Sequence, residues 1–104
     1  MFPIVKFCKL TSRLRLYTRV NHVKNSPVFS LQGETFKCRY RIHGAIQLSE
    51  DEYILDSFGQ YMNHSSNPTC AVINRSVIAT RDLNPGDELT YDKHKSVVYK
   101  EPYF

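Results

Sequence analysis

Asn63-His64-Ser65-Ser66-Asn67-Pro68 offers a carboxamide, an imidazole and hydroxyls within one proline-closed turn. About twenty residues further on, Leu83-Asn84-Pro85-Gly86-Asp87-Glu88-Leu89-Thr90-Tyr91-Asp92 places a phenol and carboxylates just after a Pro-Gly reversal. Groups of these types orient a polar ligand: Asn63 has the amide to fix a turn against one, and Tyr91 brings a hydroxyl. Each segment alone is ordinary. Asn63 and His64 equally describe a satisfied turn with a half-exposed imidazole, and Pro-Gly-Asp-Glu before an alternating segment is common turn-into-strand chemistry. Other chemistries find little footing. His22, His43, His64 and His94 have no metal-ligand spacing, no glycine loop is built for phosphate, and no serine sits in a nucleophile elbow.

The elements that must hold these residues read as short strands. Leu14, Leu16, Thr18 and Val20 alternate with polar residues, the period of a half-buried strand. Asn25-Ser26-Pro27 is a turn before a short strand, Val28–Leu31. Gln32-Gly33-Glu34 turns into Thr35–Ile42, which puts Phe36, Cys38, Tyr40 and Ile42 on one face. His43-Gly44 then predicts a hairpin into Ala45–Leu48. Ser49–Glu52 is a polar turn into a Tyr53–Leu55 strand, or else a capped helical turn. Residues 56–62 read as short helical or irregular chain. Cys70–Ile73 and Val77–Thr80 are strands about an Asn74-Arg75-Ser76 turn, and Pro85-Gly86 reverses the chain into Glu88–Tyr91. The expectation is mostly β, with little helix.

Composition narrows the class. At 104 residues the chain has room for one modest core, and 41% hydrophobic with 12% aromatic residues is globular rather than disordered. No apolar run approaches the roughly 20 residues that cross a bilayer, and the N-terminus lacks a secretory core, so a soluble intracellular protein is expected. Cys8, Cys38 and Cys70 lie far apart, which predicts packed thiols rather than disulfides or zinc. Charge is split along the chain. Residues 1–44 carry nine Lys/Arg against Glu34 alone, for +8, while residues 45–104 carry five against nine acids, for −4. Either the basic half faces nucleic acid, or the halves interleave and cancel.

Taken together, in this order and at this distance, the two segments resemble the SET domain, the fold of most protein-lysine methyltransferases. Asn63, His64, Ser65 and Pro68 match the family's Asn-His-Ser-Cys-x-Pro-Asn, with Ser66 for Cys and Thr69 for Asn. Ile78-Ala79-Thr80-Arg81-Asp82-Leu83 and Pro85–Asp92 match its A-x-R-D-I-x-x-G-E-E-L-T-Y-D-Y. The resemblance implies a single SET-like domain over 1–104: a divergent part (1–46), the motifs (47–93) and a tail (94–104). It implies small sheets, a knot-like threaded C-terminal segment, and S-adenosylmethionine bound by Asn63, His64 and Ser65. Tyr91 keeps the place of the tyrosine that tunes how many methyl groups fit, with Tyr99 and Tyr103 as further candidates to line a lysine channel.

Three departures accompany the match. Lys93 occupies the position of the usual catalytic tyrosine, and an ammonium there repels a sulfonium donor unless it sheds its proton. The early Gly-x-Gly loop is missing; its nearest echo is Val23–Phe29, where Asn25 and Pro27 are not expected to give a glycine's freedom. No post-SET cysteine cluster follows, and no zinc is expected. Three functions follow. The first is an S-adenosylmethionine-dependent lysine methyltransferase acting on a lysine-containing protein or peptide, with histone-like ones among the candidates. The second is an inactive SET-like module that binds protein or peptide. The third is a small basic domain that binds nucleic acid, with Tyr17, Phe29, Phe36 and Tyr40 as stacking platforms among the basic residues.

Overall fold

Ile4–Cys8 (β1) and Arg13–Tyr17 (β2) form an antiparallel hairpin, in register from Ile4 opposite Tyr17 to Cys8 opposite Arg13. The structure is a computed structural model that describes residues 3–8, 10, 12–38 and 44–93. Pro27–Ser30 (β3), Glu34–Lys37 (β4), Ile46–Gln47 (β5) and Glu52–Leu55 (β6) follow, then a 3-10 turn at Gly59–Tyr61. Asn63–His64 (β7), Cys70–Ile73 (β8), Ser76–Ala79 (β9) and Thr90–Tyr91 (β10) complete the order. The fold is mostly β, in small sheets. β9 lies between β3 and β8, β6 lies between β4 and β5, and β7 pairs with β10.

Alternation in β2 does what its period demands: Leu16 is fully buried, Thr18 just beyond it is buried, and Leu14 stays half exposed. With Leu16 in the core are Ile46, Ile54, Val72, Val77, Leu83 and Leu89, drawn from every sheet except the β7–β10 pair, which adds Tyr91. β1 was not anticipated, because Ile4-Val5-Lys6-Phe7-Cys8 does not alternate and the hairpin leaves much of it uncovered.

The expected hairpin through His43-Gly44 falls largely on residues 39–43, which lie outside the described residues, and the described parts of its two strands do not pair with each other. β4 and β5 each pair with β6, which sits between them. Tyr53 and Ile54 are adjacent in sequence and point to opposite faces, yet both are buried, so β6 is covered on both sides. The predicted strand to Ile42 ends at Lys37, and residues 39–43 lie outside the described residues. Gly33 enters β4 at a point of backbone contact. A Cβ there would stand 1.4 Å from the carbonyl oxygen of Leu55.

Asn25 has a φ of 70°, in the left-handed region, which asparagine tolerates better than most side chains, and its backbone amide donates to Ala79 O at 2.8 Å. Its Cβ still blocks the close approach that a glycine would allow. Across the whole fold the basic and acidic halves interleave. Thr18 N donates to Asp87 O, Leu89 N donates to Leu16 O, and His22 and Leu83 exchange both backbone bonds.

Candidate functional site

Two residues of β7 and two of β10 make the junction on which the site depends. They pair in parallel, Thr90 opposite Asn63 and Tyr91 opposite His64, and Ser65 N donates to Tyr91 O at 3.0 Å. So short a ladder cannot stand alone. Side chains brace it. Thr69 N donates to Thr90 Oγ1 at 3.1 Å, and Thr90 N donates back to Thr69 Oγ1 at 2.9 Å. The Thr69 hydroxyl in turn donates to Glu88 O at 2.8 Å. Thr80 Oγ1 donates to Pro68 O at 2.7 Å, and Arg81 Nη2 reaches Asn67 Oδ1 at 2.9 Å. Thr69, read as a departure from the family pattern, thus ties the two motifs together.

A cleft of about 930 Å3 opens over this junction. Its floor is Gly59–His64 with Tyr91 and Lys93, its far wall is Phe7 and Ser12–Arg15 of the β1–β2 hairpin, and Gly44 and Ala45 complete the lining. The floor is set from beneath by Asp56, which is buried. Its carboxylate accepts from Gln32 N at 2.6 Å, Phe58 N at 3.0 Å and Gly59 N at 2.8 Å, which fixes the 3-10 turn leading to Met62 and Asn63.

Of the predicted site residues, Asn63, His64, Tyr91 and Lys93 all line the cleft. Tyr91 is largely buried. Ser65 does not line it; its amide is held by Tyr91 O, and its Oγ accepts from Asn67 N at 3.1 Å. Tyr99 and Tyr103 lie outside the described residues. Residues 23–29, the echo of the glycine loop, are not part of this lining. The hairpin turn at Ser12, with φ 55°, stands at the wall instead. Sequence reasoning missed that wall; its signal was the polar Thr11-Ser12-Arg13 turn before an alternating strand.

His64 Nδ1 accepts from Lys93 N at 3.2 Å and lies 3.9 Å from Asp92 Oδ1. An ion pair with Asp92 needs a proton on Nδ1, where the Lys93 amide already donates. The shorter contact governs, so Nδ1 acts as the acceptor of the Lys93 amide. Opposite, Glu88 accepts from Arg15 Nη1 at 2.6 Å and from Asn63 Nδ2 at 3.3 Å. The Glu88 hydrogen bond raises the Arg15 pKa above its usual value. Burial pushes the Cys70 thiol up to about 11, which makes it an inert packed group. Among the described residues no cluster of metal-ligating side chains forms, and no described helix is long and apolar enough to cross a membrane.

Two of the aromatics weighed as stacking platforms, Phe29 and Phe36, are engaged elsewhere. Phe29 is buried edge-on to Phe58 at 6.5 Å, and Phe36 stacks on Tyr53 at 6.1 Å. Tyr40 lies outside the described residues.

In size, the cleft falls within the range of small-molecule sites, and its floor combines aromatic surface with an amide and backbone polar groups. No curated protein matches the sequence. Among solved structures, the fold is similar to a chain in the structure of ctPRC2 in complex with H3K27me3 and H3K27M, with a TM-score of 0.70 at 13% identity. The alignment covers 86% of this chain and only 14% of that one, so the likeness is one of fold. The sequence profile of the SET domain matches residues 4–92, and the chain belongs to the SET domain family.

Proposed function

We propose that this chain is a SET-type protein-lysine methyltransferase that uses S-adenosylmethionine, with residues 1–104 acting as one domain. The observation that carries the reading is the β7–β10 pair, which puts Asn63 and His64 beside Tyr91 on the floor of one cleft. Asn63 and His64 would hold the cofactor, whose sulfonium supplies an electrophilic methyl group. Ser65 contributes by fixing the turn rather than by contact. Methyl transfer to a lysine needs a neutral amine, held in line with the donor and shielded from water. Tyr91, largely buried at the floor, would narrow the passage and accept a hydrogen bond from that amine.

The substrate is a lysine-containing protein or peptide. Histone H3 peptides are the first to test, because the neighbouring ctPRC2 structure holds H3K27me3 and H3K27M. Incubation with tritium-labelled S-adenosylmethionine and histone or ribosomal proteins is expected to label a lysine. A lack of label over background, in a protein that binds the cofactor, favours a second reading: an inactive SET-like module that binds protein or peptide. Lys93 motivates that second reading. It lines the cleft at the position of the usual catalytic tyrosine.

A further inference from the structure

Glu88 stands behind the cleft, yet it holds two residues that face it. Oε1 accepts from Arg15 Nη1 at 2.6 Å and Oε2 accepts from Asn63 Nδ2 at 3.3 Å. Arg15 belongs to the hairpin wall and Asn63 to the floor. The Arg15 and Glu88 side chains keep only 23% and 22% of their surface exposed, so water competes for these bonds in part. The backbone of Glu88 is fixed as well, by the Thr69 hydroxyl on its carbonyl and by its bridge to Tyr17.

A carboxylate only accepts hydrogen bonds. Asn63 must therefore turn its NH2 toward Glu88, where one of its two N–H bonds is taken, and its carbonyl oxygen, the acceptor end of the amide, is turned away from that carboxylate. We infer that Glu88 is a positioning residue that sets the polarity Asn63 offers to the cleft. It makes Asn63 an acceptor, suited to a donor group of a ligand such as an ammonium or an exocyclic amine. This rests on the proposed reading of the cleft as a cofactor site.

Glutamine separates polarity from shape. In Glu88→Gln the new amide satisfies Arg15 through its oxygen and meets Asn63 with its NH2, so the Asn63 amide flips and offers a donor instead. Calorimetric titration with S-adenosylmethionine is expected to show about tenfold weaker binding, the equivalent of one hydrogen bond, with little change in Tm. The double variant Glu88→Gln, Asn63→Asp keeps one negative charge in the pair and restores an acceptor at position 63, so binding returns. A role in packing alone predicts a double variant no tighter than the single one, and that result overturns the inference. Should Glu88→Gln alone fail to fold, Asn63→Asp carries the same test. Its two facing carboxylates must leave it less stable and weaker in binding than the double variant.

The orientation is also read without ligand. The Asn63 side-chain NH2 resonances, assigned by their loss in Asn63→Asp, are expected to shift more than any other side-chain amide in Glu88→Gln. Unmoved resonances overturn the contact whether or not cofactor binds. Moved resonances in a protein that gives no heat with S-adenosylmethionine sustain the orienting contact while removing the cofactor reading, which keeps the two failures apart.

Discussion

At position 93 the chain brings an ammonium to the cleft floor, with its backbone amide donating to His64 Nδ1 at 3.2 Å. A cation there opposes a sulfonium donor. Lys93→Tyr exchanges the charge for a hydroxyl without touching the backbone bond to His64. Methyl transfer is expected to rise by about tenfold or more, the scale of a positioned hydroxyl's contribution; no gain in a variant that still binds cofactor would contradict the assignment. A second residue titrates through its surroundings. Burial lowers the His22 pKa below its ordinary 6.5, and the ring bonds to Thr18 Oγ1 at 3.0 Å. The unfolded chain therefore takes up the proton first. Stability from this residue is complete above about pH 6.5 and is lost as pH falls through the lowered folded value. Urea unfolding across that interval should show the loss, and His22→Gln should flatten it; an unchanged slope counts against the burial argument. Nothing in the spacing of His22 foretold this, because the backbone bonds that hold it come from Leu83, sixty-one residues away in the chain.

Among the elements, those whose partners are local were legible. Cys70–Ile73 was placed to the residue, and β9 to within one residue, since Asn74-Arg75 closes a hairpin with Asn74 at φ 58°. β6 was found as a strand but not as a central one, because its neighbours are set by the return of β4 and β5 from either side. The β7–β10 pair was invisible to periodicity: two residues give no period, and only the resemblance pointed to it. Two substitutions test what holds these elements. Gly33→Ala puts a methyl group into the Leu55 carbonyl and should cost about 3 kcal/mol, read as a lower urea midpoint. A variant with wild-type stability would mean that the β4–β6 approach is looser than described. Asp56→Ala strands three backbone N–H groups and should cost a similar amount, about 3 kcal/mol. Because the 3-10 turn forms part of the cleft floor, it should also weaken cofactor binding, whereas Gly33→Ala should spare it.

For the molecule as a whole, the sequence split of +8 and −4 resolves into interleaved halves. The first half supplies one wall of the cleft and the second half its floor. That arrangement was one of two open readings, and charge counts could not choose between them; only the backbone bonds between residues 16–22 and 83–89 do. The same interleaving explains why the site was half legible. Asn63, His64, Tyr91 and Lys93 lie within the recognisable motifs, whereas Phe7 and Ser12–Arg15 reach the cleft by a hairpin whose sequence carries no motif. Binding of the methyl donor is the most direct test. Calorimetric titration of the wild-type chain with S-adenosylmethionine is predicted to give saturable heat, which Asn63→Ala removes while leaving the fold intact. No heat at millimolar cofactor, or equal heat from Asn63→Ala, would contradict the assignment of this cleft.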